Sequence, residues 1–417
     1  PGPTPMNPLI DDARGRPGND PIFAINGRAQ AMRATGRHVV NASLGALLAD
    51  DGRLAVLPTV GEALAAVPAD RGSAYAPISG EPSFLEAVRR DAFGASPLAE
   101  SSIAVATPGG TGAIYSAILN FVAPGEALYT TSFHWGPYRT IAQQHGRRVE
   151  TFRMFDGAGG FDVAAFGAGL SELVERQGRA LTILNFPCHN PTGYSLDEAE
   201  WRGVADALSR AAEHGPVTVL VDLAYAHFGR GEQRLWVRAL EPVADRVTVL
   251  AAWTASKSYA QYGARIGALC AAVPDPDLRA EVKHALAFSS RGTWSNCNHH
   301  GMLAITELLT DEVLARGVER DRAQLVELLD ARVDAFNAAA SARGLRYPRY
   351  EGGFFVTVST PDAQRTADVA AEHGVFVVPL SGVVRVALCA VPVADVPALV
   401  DAVALGVEAA TAAEARG

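Results

Sequence analysis

The fold is decided by LTILNFPCHNPTGYSLDEAEWRGVADALSRAAEHGPVTVLVDL, residues 181–223. Two short β-like runs, Leu181–Phe186 and Val217–Leu223, flank a stretch from Glu198 to His214 in which apolar residues recur at helical spacing. Gly215-Pro216 ends that helical pattern. Strands separated by helices favour a mainly parallel sheet that is buried on both faces, so this segment predicts an α/β fold.

Outward from that segment, the same alternation of strands and helices continues. Two further β-like runs, Val247–Trp253 and Ile266–Val273, follow it along the chain. Ligands of such sheets bind beyond the carboxyl ends of the strands, so the loops that follow these runs are the candidate site. The outer segments read as a helix at Pro21–Arg33, a long helix at Thr310–Ala338, and strand-like runs at Val39–Gly45, Tyr347–Ser359, Val375–Pro379 and Val383–Leu388.

The length of 417 residues predicts two domains. We expect a large domain over residues 51–310 and a small C-terminal domain over residues 311–417. The first part of the chain, residues 1–50, is expected to form an N-terminal arm and to complete the small domain.

Charge, apolar runs and cysteine content indicate which kinds of binding partner and which cellular compartment are expected. The net charge is −9, which disfavours general binding to nucleic acid or to an anionic membrane. No apolar run reaches about 18 residues, which argues against a membrane span. Four separated cysteines without a CxxC pair indicate a reducing compartment. Because no apolar signal-peptide core is visible at the N-terminus either, we expect a cytoplasmic protein.

Lys257 is the first candidate catalytic residue, in Thr254-Ala-Ser-Lys257 directly after the run Val247–Trp253. A lysine just past a strand end, among small residues, is well placed to be desolvated. Desolvation lowers the pKa of a lysine and frees its amine to attack a carbonyl. The alternative is a surface lysine, and this segment alone does not decide between the two.

A glycine-rich turn, Pro108-Gly-Gly-Thr-Gly-Ala113, opens a helical stretch that runs to Phe121. Such a turn offers free N–H groups and a favourable dipole to a phosphate. It lacks the lysine of a P-loop and the spacing of a dinucleotide-binding fingerprint. A simple capped turn is therefore the alternative to a phosphate site.

Three more polar residues follow the β-like runs. Asp222 lies at the end of the run Val217–Leu223, where a buried carboxylate is costly unless it meets a cation. A protonated ring nitrogen of a ligand would supply that cation. The alternative is that Asp222 caps a helix or forms a structural ion pair. Tyr225 lies three residues later and is placed to donate to a phenolate oxygen. Asn190 begins Asn190-Pro-Thr-Gly193, which taken alone indicates only a turn.

The order and separation of these motifs resemble the type I aminotransferases that depend on pyridoxal 5′-phosphate (PLP). More narrowly, they resemble the aspartate and aromatic aminotransferase branch. The order is a glycine-rich loop, Asn-Pro-Thr-Gly, Asp-x-x-Tyr, and then Ser-Lys with Arg265 eight residues on. The resemblance covers nearly the whole chain, including Asp20-Pro-Ile22, Val40-Asn-Ala-Ser-Leu-Gly-Ala46, Asp50-Asp-Gly52, Tyr75-Ala-Pro-Ile-Ser-Gly80 and Val384-Arg-Val-Ala387.

The resemblance implies the type I fold, PLP as the cofactor, and a homodimer. It implies that Lys257 forms a Schiff base with PLP and then acts as the base, while Asp222 keeps the pyridine nitrogen protonated. Tyr225 and Asn190 would bond the phenolate oxygen of PLP, and Trp135 would stack on its ring. The implied phosphate ligands are Gly110, Thr111, Thr254, Ser256 and Arg265, with Tyr75 reaching the phosphate of the neighbouring subunit.

The resemblance also implies a substrate site. Arg385 matches the arginine that binds the substrate α-carboxylate as a fork, and Gly45 lets the backbone approach the same carboxylate. Asn190 and Trp135 border the same substrate. Arg291 matches the arginine that reaches across the dimer interface to a distal carboxylate, which implies dicarboxylic substrates such as 2-oxoglutarate, glutamate or aspartate.

The surroundings of Arg291 depart from the family pattern. Trp294 replaces a tyrosine, Cys297-Asn298 replaces Pro-Pro, and Leu47 replaces an aromatic residue near the substrate entrance. A loop arginine with another role is therefore the alternative for Arg291.

The sequence predicts a PLP-dependent aminotransferase that moves an amino group between aspartate, glutamate or an aromatic amino acid and a 2-oxo acid by a ping-pong reaction. A PLP-dependent lyase, decarboxylase or oxidase on the same fold is the first alternative. A PLP-binding regulatory protein without turnover is the second. No metal site is expected, because His134, His189, His299 and His300 lack supporting carboxylate or cysteine ligands.

Overall fold

The computed structural model of the chain describes residues 7–18 and 21–415. Asp20, which begins the Asp20-Pro-Ile22 match, and the first residues of the expected arm lie outside these ranges. The strands are β1 (Val40–Asn41), β2 (Ser102–Pro108), β3 (Ala127–Thr131), β4 (Arg148–Phe152), β5 (Ala180–Leu184), β6 (Val217–Asp222), β7 (Val247–Thr254), β8 (Ile266–Ala272), β9 (Phe355–Ser359), β10 (Val375–Phe376), β11 (Val378–Leu380) and β12 (Val383–Ala387). The α-helices are α1 (Pro21–Ala34), α2 (Pro58–Ala66), α3 (Ala69–Ser73), α4 (Pro82–Phe93), α5 (Pro97–Glu100), α6 (Gly109–Phe121), α7 (Pro137–Gln144), α8 (Val163–Gln177), α9 (Glu198–Ala211), α10 (Leu235–Leu240), α11 (Ala255–Ser258), α12 (Pro276–Thr293), α13 (His299–Thr310), α14 (Glu312–Ala342), α15 (Ala363–Glu372) and α16 (Val396–Glu414).

Seven strands form one sheet in the order β2-β8-β7-β6-β5-β3-β4. The neighbours from β4 through to β7 are parallel, whereas β8 runs antiparallel to both β2 and β7. The prediction of a mainly parallel sheet is therefore confirmed. The predicted runs at 181–186, 217–223 and 247–253 correspond to β5, β6 and β7, and each boundary agrees within two residues.

The central strands are apolar throughout because both faces of the sheet are covered. Every residue of β5 and β6 is buried. Val219 and Val249 pack with α9 on one face, while Leu220 and Leu250 pack with α6 on the other. This arrangement brings the loops after β5, β6 and β7 to one edge of the sheet, next to the first turn of α6.

The N-terminal segment and the C-terminal third of the chain share a second core. β11, β12 and β9 form an antiparallel sheet, and β1 pairs in parallel with β10. Val333 and Phe336 of α14 join Leu399 of α16 in that core. The loop after β1 is bound to β12, because the backbone N–H of Ala387 donates to the carbonyl of Ala42 at 2.8 Å.

Three of the outer elements differ from their predictions. The single helix predicted at Thr310–Ala338 corresponds to α14, which begins two residues later, because Asp311 ends α13 and caps α14, accepting from two backbone N–H groups at 2.8 and 2.9 Å. The run Val39–Gly45 contains only the two-residue β1, since Asn41 bonds the following loop through its side chain. The run Tyr347–Ser359 forms a strand only from β9 onwards, after Gly353 with φ +84° has turned the backbone.

A further correction concerns the prediction that no segment is apolar and long enough to span a membrane. Residues Val393–Glu414, which include α16, have the length and composition of a membrane span, with a mean hydropathy of 1.5 over the apolar window. In the structure 44% of that window is buried. Leu399, Val400 and Val403 lie in the core that α16 shares with α15, so packing against the protein accounts for the apolar face.

Candidate active site

A cavity lies where β5, β6 and β7 end and α6 begins. Ten of the predicted site residues line it together: Gly110, Thr111, Trp135, Asn190, Asp222, Tyr225, Thr254, Ser256, Lys257 and Arg265. Ile114, Asn185 and Ala224 complete the lining. The loops of a parallel sheet therefore gather residues that are up to 155 positions apart in the sequence (110 to 265).

The start of α6 faces this cavity with free backbone donors. Pro108 precedes the helix and offers no side-chain cap, so the N–H groups of the first turn have no capping partner. Gly109 has φ +70°, and a Cβ there would lie 2.4 Å from Nη2 of Arg265. A side chain there would strain the backbone and would displace the guanidinium from this position. The helix end therefore forms a cradle of N–H groups beside a guanidinium, which suits a phosphate.

Lys257 lies in the short helix α11, directly after β7. Thr254 caps α11, because its Oγ1 accepts from the N–H of Ser256 at 3.2 Å. Burial is the main cause that lowers the pKa of Lys257, and Arg265 lowers it further, whereas Asp222 opposes them. The Nζ atom lies 5.3 Å from the centre of the Tyr225 ring. The amine is thus held in the cavity with an increased neutral fraction.

Asp222 ends β6 and is only 4% exposed. The hydroxyl of Tyr138 donates to its Oδ2 at 2.7 Å, and the N–H of Ala224 donates to Oδ1 at 3.2 Å. Burial raises the pKa of Asp222, while the bond from Tyr138 opposes that rise. Among residues 7–18 and 21–415 no lysine, arginine or histidine forms an ion pair with this carboxylate. A buried carboxylate of this kind fits a cation supplied by a ligand.

Asn190 and Tyr225 meet at the side of the cavity. The amide Nδ2 of Asn190 donates to the Tyr225 hydroxyl at 3.4 Å, and its backbone N–H donates to Oδ1 of Asn185 at 2.8 Å. Asn185 also donates through Nδ2 to the backbone carbonyl of Asp222 at 2.9 Å. The side chain of Asn185 therefore joins the loop after β5 to the end of β6.

Arg265 closes the opposite end. Its Nη1 donates to Oγ of Ser256 at 3.1 Å and to the carbonyl of Tyr262 at 2.7 Å. Its φ is +54°, in the left-handed region that disfavours a residue with a side chain. The guanidinium, the Ser256 hydroxyl and the first turn of α6 together form the cationic, donor-rich end of the cavity.

Arg385 and Gly45 lie together in the second core. Arg385, on β12, donates through Nη2 to the carbonyl of Ser43 at 2.7 Å and stacks on the Phe355 ring at 4.6 Å. A Cβ at Gly45 would lie 2.8 Å from the same ring. The Phe355 ring in turn contacts Tyr225 edge to face, with 5.6 Å between the ring centres. A chain of aromatic contacts thus connects Arg385 to the cavity.

The two residues expected to act across a subunit interface are exposed in the single chain. Tyr75 is 91% exposed. Arg291 is exposed near the end of α12, where its Nη1 donates to Oγ of Ser295 at 2.5 Å. Neither belongs to the lining of the cavity. Within the described residues of one chain, both therefore lie apart from the predicted residues that line the cavity.

Sequence reasoning missed Asn185 and Tyr138. Asn185 lies in the quoted run LTILNF, directly past the observed end of β5, so its position at a strand end was the available signal. Tyr138 lies in the segment that follows Trp135, but no pattern in that segment indicates that its hydroxyl reaches Asp222. Within the described parts of the chain no group of three histidine, cysteine or acidic residues is arranged to hold a metal ion.

Comparison with known proteins identifies the family. The family model "Aminotransferase class I and II" matches residues 37–403. An aromatic-amino-acid aminotransferase of Paracoccus denitrificans is 31% identical over 290 residues, 65% of this chain and 71% of that protein. An aspartate aminotransferase of Pseudomonas aeruginosa is 28% identical over 374 residues, 86% of this chain and 90% of that protein.

Solved structures agree with these matches. The crystal structure of an aminotransferase from Anaerococcus prevotii is 32% identical, with a TM-score of 0.91, and the match covers 96% of this chain and 100% of that one. The expected type I fold is thereby confirmed, and the lyase, oxidase and regulatory alternatives are not favoured. The chain belongs to the class I and II aminotransferase family, and it is a PLP-dependent enzyme that catalyses transamination.

Proposed function

We propose that this enzyme transfers the amino group of aspartate, glutamate or an aromatic L-amino acid to a 2-oxo acid such as 2-oxoglutarate. The observation that carries the proposal is the enclosure of Lys257, Asp222 and Arg265 in one cavity. The names of the relatives from Paracoccus and Pseudomonas support the substrate class, since they act on aromatic amino acids and on aspartate.

The residues of the cavity fit PLP. The N–H groups of Gly110 and Thr111, the hydroxyls of Thr254 and Ser256, and Arg265 would hold its phosphate. Asp222, which lacks an ion-pair partner among the described residues, would face the protonated ring nitrogen. Tyr225 and Asn190 would bond the phenolate oxygen, Trp135 would cover the ring, and Lys257 would hold the aldehyde carbon covalently. When bound, PLP supplies the electron sink that acidifies the Cα–H bond of the amino acid.

The protein's own part in the reaction is acid–base chemistry at Lys257. Its amine has a lowered pKa, so at neutral pH a larger fraction is unprotonated and able to accept a proton. Tyr225 lies against it and positions it. Asp222 must stay ionised to hold a cation, and the hydroxyl of Tyr138 stabilises that ionised form. The Tyr138 hydroxyl is therefore a positioning group of the site.

We propose that Arg385 binds the α-carboxylate of the substrate. A guanidinium offers two parallel donors to a carboxylate, and its stacking on Phe355 fixes its plane. The backbone of Gly45 would approach the same carboxylate, since the absence of a Cβ there lets the Phe355 ring lie close to it. Because Arg385 lies on β12 in the second core, the substrate would bind between the two cores. We propose that residues 51–310 form the large domain and residues 311–417 the small C-terminal domain, which residues 1–50 complete.

We further propose that the active form is a cytoplasmic homodimer. The exposure of Tyr75 and Arg291 supports this, because both would gain partners if a second copy covered them. Phe288 lies on the same helix as Arg291 and is 82% exposed, so it too would be covered if a second copy packed on α12. In the dimer Tyr75 would reach the phosphate, and Arg291 would reach a distal carboxylate, in the other subunit's site.

The test is a spectroscopic half-reaction. The PLP-loaded enzyme is titrated with aspartate, glutamate, phenylalanine and tyrosine while the absorbance of the cofactor is followed. We expect the pyridoxal band to convert to the pyridoxamine band, and 2-oxoglutarate to restore it. A cofactor band that does not respond to any of these amino acids would contradict the proposed substrates.

A further inference from the structure

Asn298, at the start of α13, occupies the position at which the chain departs from the family's Pro-Pro. Its Oδ1 caps α13 by accepting from the N–H of Gly301 at 2.9 Å. Its Nδ2 donates to the carbonyl of Ala264 at 2.9 Å. A proline could make neither bond. The departure therefore adds a connection between α13 and the loop that precedes β8.

The Ala264 carbonyl belongs to the peptide group that leads into Arg265. Arg265 has φ +54°, a conformation that is strained for a residue with a side chain unless its surroundings hold it. Its guanidinium lines the cavity and bonds Ser256. The amide of Asn298 thus holds the backbone directly beside the strained residue that faces the proposed phosphate position.

His299, the next residue, holds a different segment. Its Nδ1 lies 3.0 Å from the carbonyl of Ala74, and its Nε2 lies 3.2 Å from Oε2 of Glu81. The His299 and Glu81 side chains are only 13% and 23% exposed. Ala74 directly precedes the Tyr75–Gly80 segment, and Glu81 directly follows it. One imidazole therefore contacts both ends of the segment that presents the exposed Tyr75.

We propose that Asn298 and His299 are positioning residues for the phosphate, each for a different active site of the dimer. Asn298 positions Arg265 in the cavity of its own subunit. His299 positions Tyr75, which serves the cavity of a second copy. The inference rests on the proposed function, because it requires a phosphate at Arg265 and a dimer that brings Tyr75 to it.

The test for Asn298 compares ligands with and without a phosphate. Asn298→Asp keeps an oxygen to cap α13 but removes the Nδ2 donor, whereas Asn298→Ala removes both. The dissociation constants of PLP and of pyridoxal are measured on the apoprotein. We expect Asn298→Asp to weaken PLP roughly 3- to 10-fold, the effect of one hydrogen bond, and to leave pyridoxal unchanged.

Two results would overturn the Asn298 assignment: no change in PLP affinity, or equal loss for both ligands, which would indicate a structural role alone. A wild-type apoprotein that binds neither ligand would instead overturn the proposed function. The melting temperature of the Asn298→Asp apoprotein, compared with wild type, reports whether the cap is intact.

The test for His299 uses mixed dimers in which one subunit carries Lys257→Ala. His299→Ala on that subunit should weaken PLP roughly 3- to 10-fold at the remaining Lys257, because Tyr75 is then misplaced in trans. The same substitution on the Lys257-bearing subunit should leave that site unchanged. The reverse pattern, or equal effects, would overturn the assignment, and Glu81→Gln provides a second variant if His299→Ala does not fold.

Discussion

Lys257 and Arg291 represent two regions of the molecule that are built in different ways. Around Lys257, one chain brings ten predicted residues into one cavity through loops at the edge of a single sheet. Around Arg291, one chain provides an exposed helix end, where the arginine donates to Ser295 of the adjoining loop. The cofactor end is thus assembled by the fold of one chain, whereas the proposed selection of the substrate side chain by Arg291 would require a second copy. The predictions below separate these regions, from the largest expected effect to the smallest.

The largest effect is expected at Lys257, because its amine is the proposed proton carrier. Lys257→Ala should lower kcat by about 10⁴-fold or more, the upper range for removing an acid–base group. Turnover of aspartate with 2-oxoglutarate is the measurement. Lys283→Ala is the matched control, since Lys283 is the other lysine of the sequence and lies exposed on α12. A comparable loss in the Lys283→Ala control would contradict the assignment.

The second effect concerns Arg385, which lies between the two regions. Arg385→Gln should lower kcat/KM roughly 100-fold for every amino acid, because the α-carboxylate is common to all substrates. PLP affinity should be unchanged. Arg385→Lys keeps the charge but loses the fork, so it should recover only part of the activity. A loss confined to one class of amino acid would be inconsistent with binding of the α-carboxylate.

Much of the cofactor end could be predicted from the sequence because its residues lie in short motifs directly after strands. Asp222 and Lys257 are examples, since strand ends of a parallel sheet meet at one edge. Tyr138 could not be predicted in this way, because its bond to Asp222 depends on how α7 packs and not on spacing. The start of α14 was predicted two residues too early for a similar reason, since it depends on the cap that Asp311 provides.

The substrate end was predicted less completely. Arg385 was identified from the motif Val384-Arg-Val-Ala387. Its contact with the Ser43 carbonyl arises because the N-terminal segment packs against β12. The proposed role of Arg291 would depend on a loop in which Trp294 and Asn298 depart from the family pattern, and on a neighbouring subunit. Local sequence determines neither the shape of that loop nor the packing of a second subunit, so the role of Arg291 stays a prediction.

The third prediction addresses Arg291 directly. Arg291→Gln should lower kcat/KM for aspartate and glutamate roughly 10- to 100-fold, the range for one charge-assisted hydrogen bond in a closed site. The value for phenylalanine should stay within about twofold, because no distal carboxylate is present. The ratio of the two kcat/KM values is the measurement, and an unchanged ratio would assign Arg291 another role.

The smallest effect is a dependence of stability on pH in the buried region. Burial lowers the pKa of His189 to about 3, while the unfolded chain would titrate near the ordinary value of 6.5. His189 therefore stabilises the fold above pH 6.5, and that contribution is lost as the pH falls toward 3. His189→Gln should flatten the fall in melting temperature over this range, whereas His373→Gln, at an exposed position, should not. Equal slopes for His189→Gln and wild type would contradict burial of a neutral imidazole.

The central claim is that the enclosed lysine binds the cofactor, and borohydride reduction tests it most directly. The PLP-loaded enzyme is reduced, digested and analysed by mass spectrometry for the pyridoxyl group. The sequence contains only two lysines, Lys257 and Lys283, so the assignment has a built-in comparison. We predict complete labelling of the Lys257 peptide and none of the Lys283 peptide. Labelling at Lys283 alone, or no label on either peptide, would contradict the account.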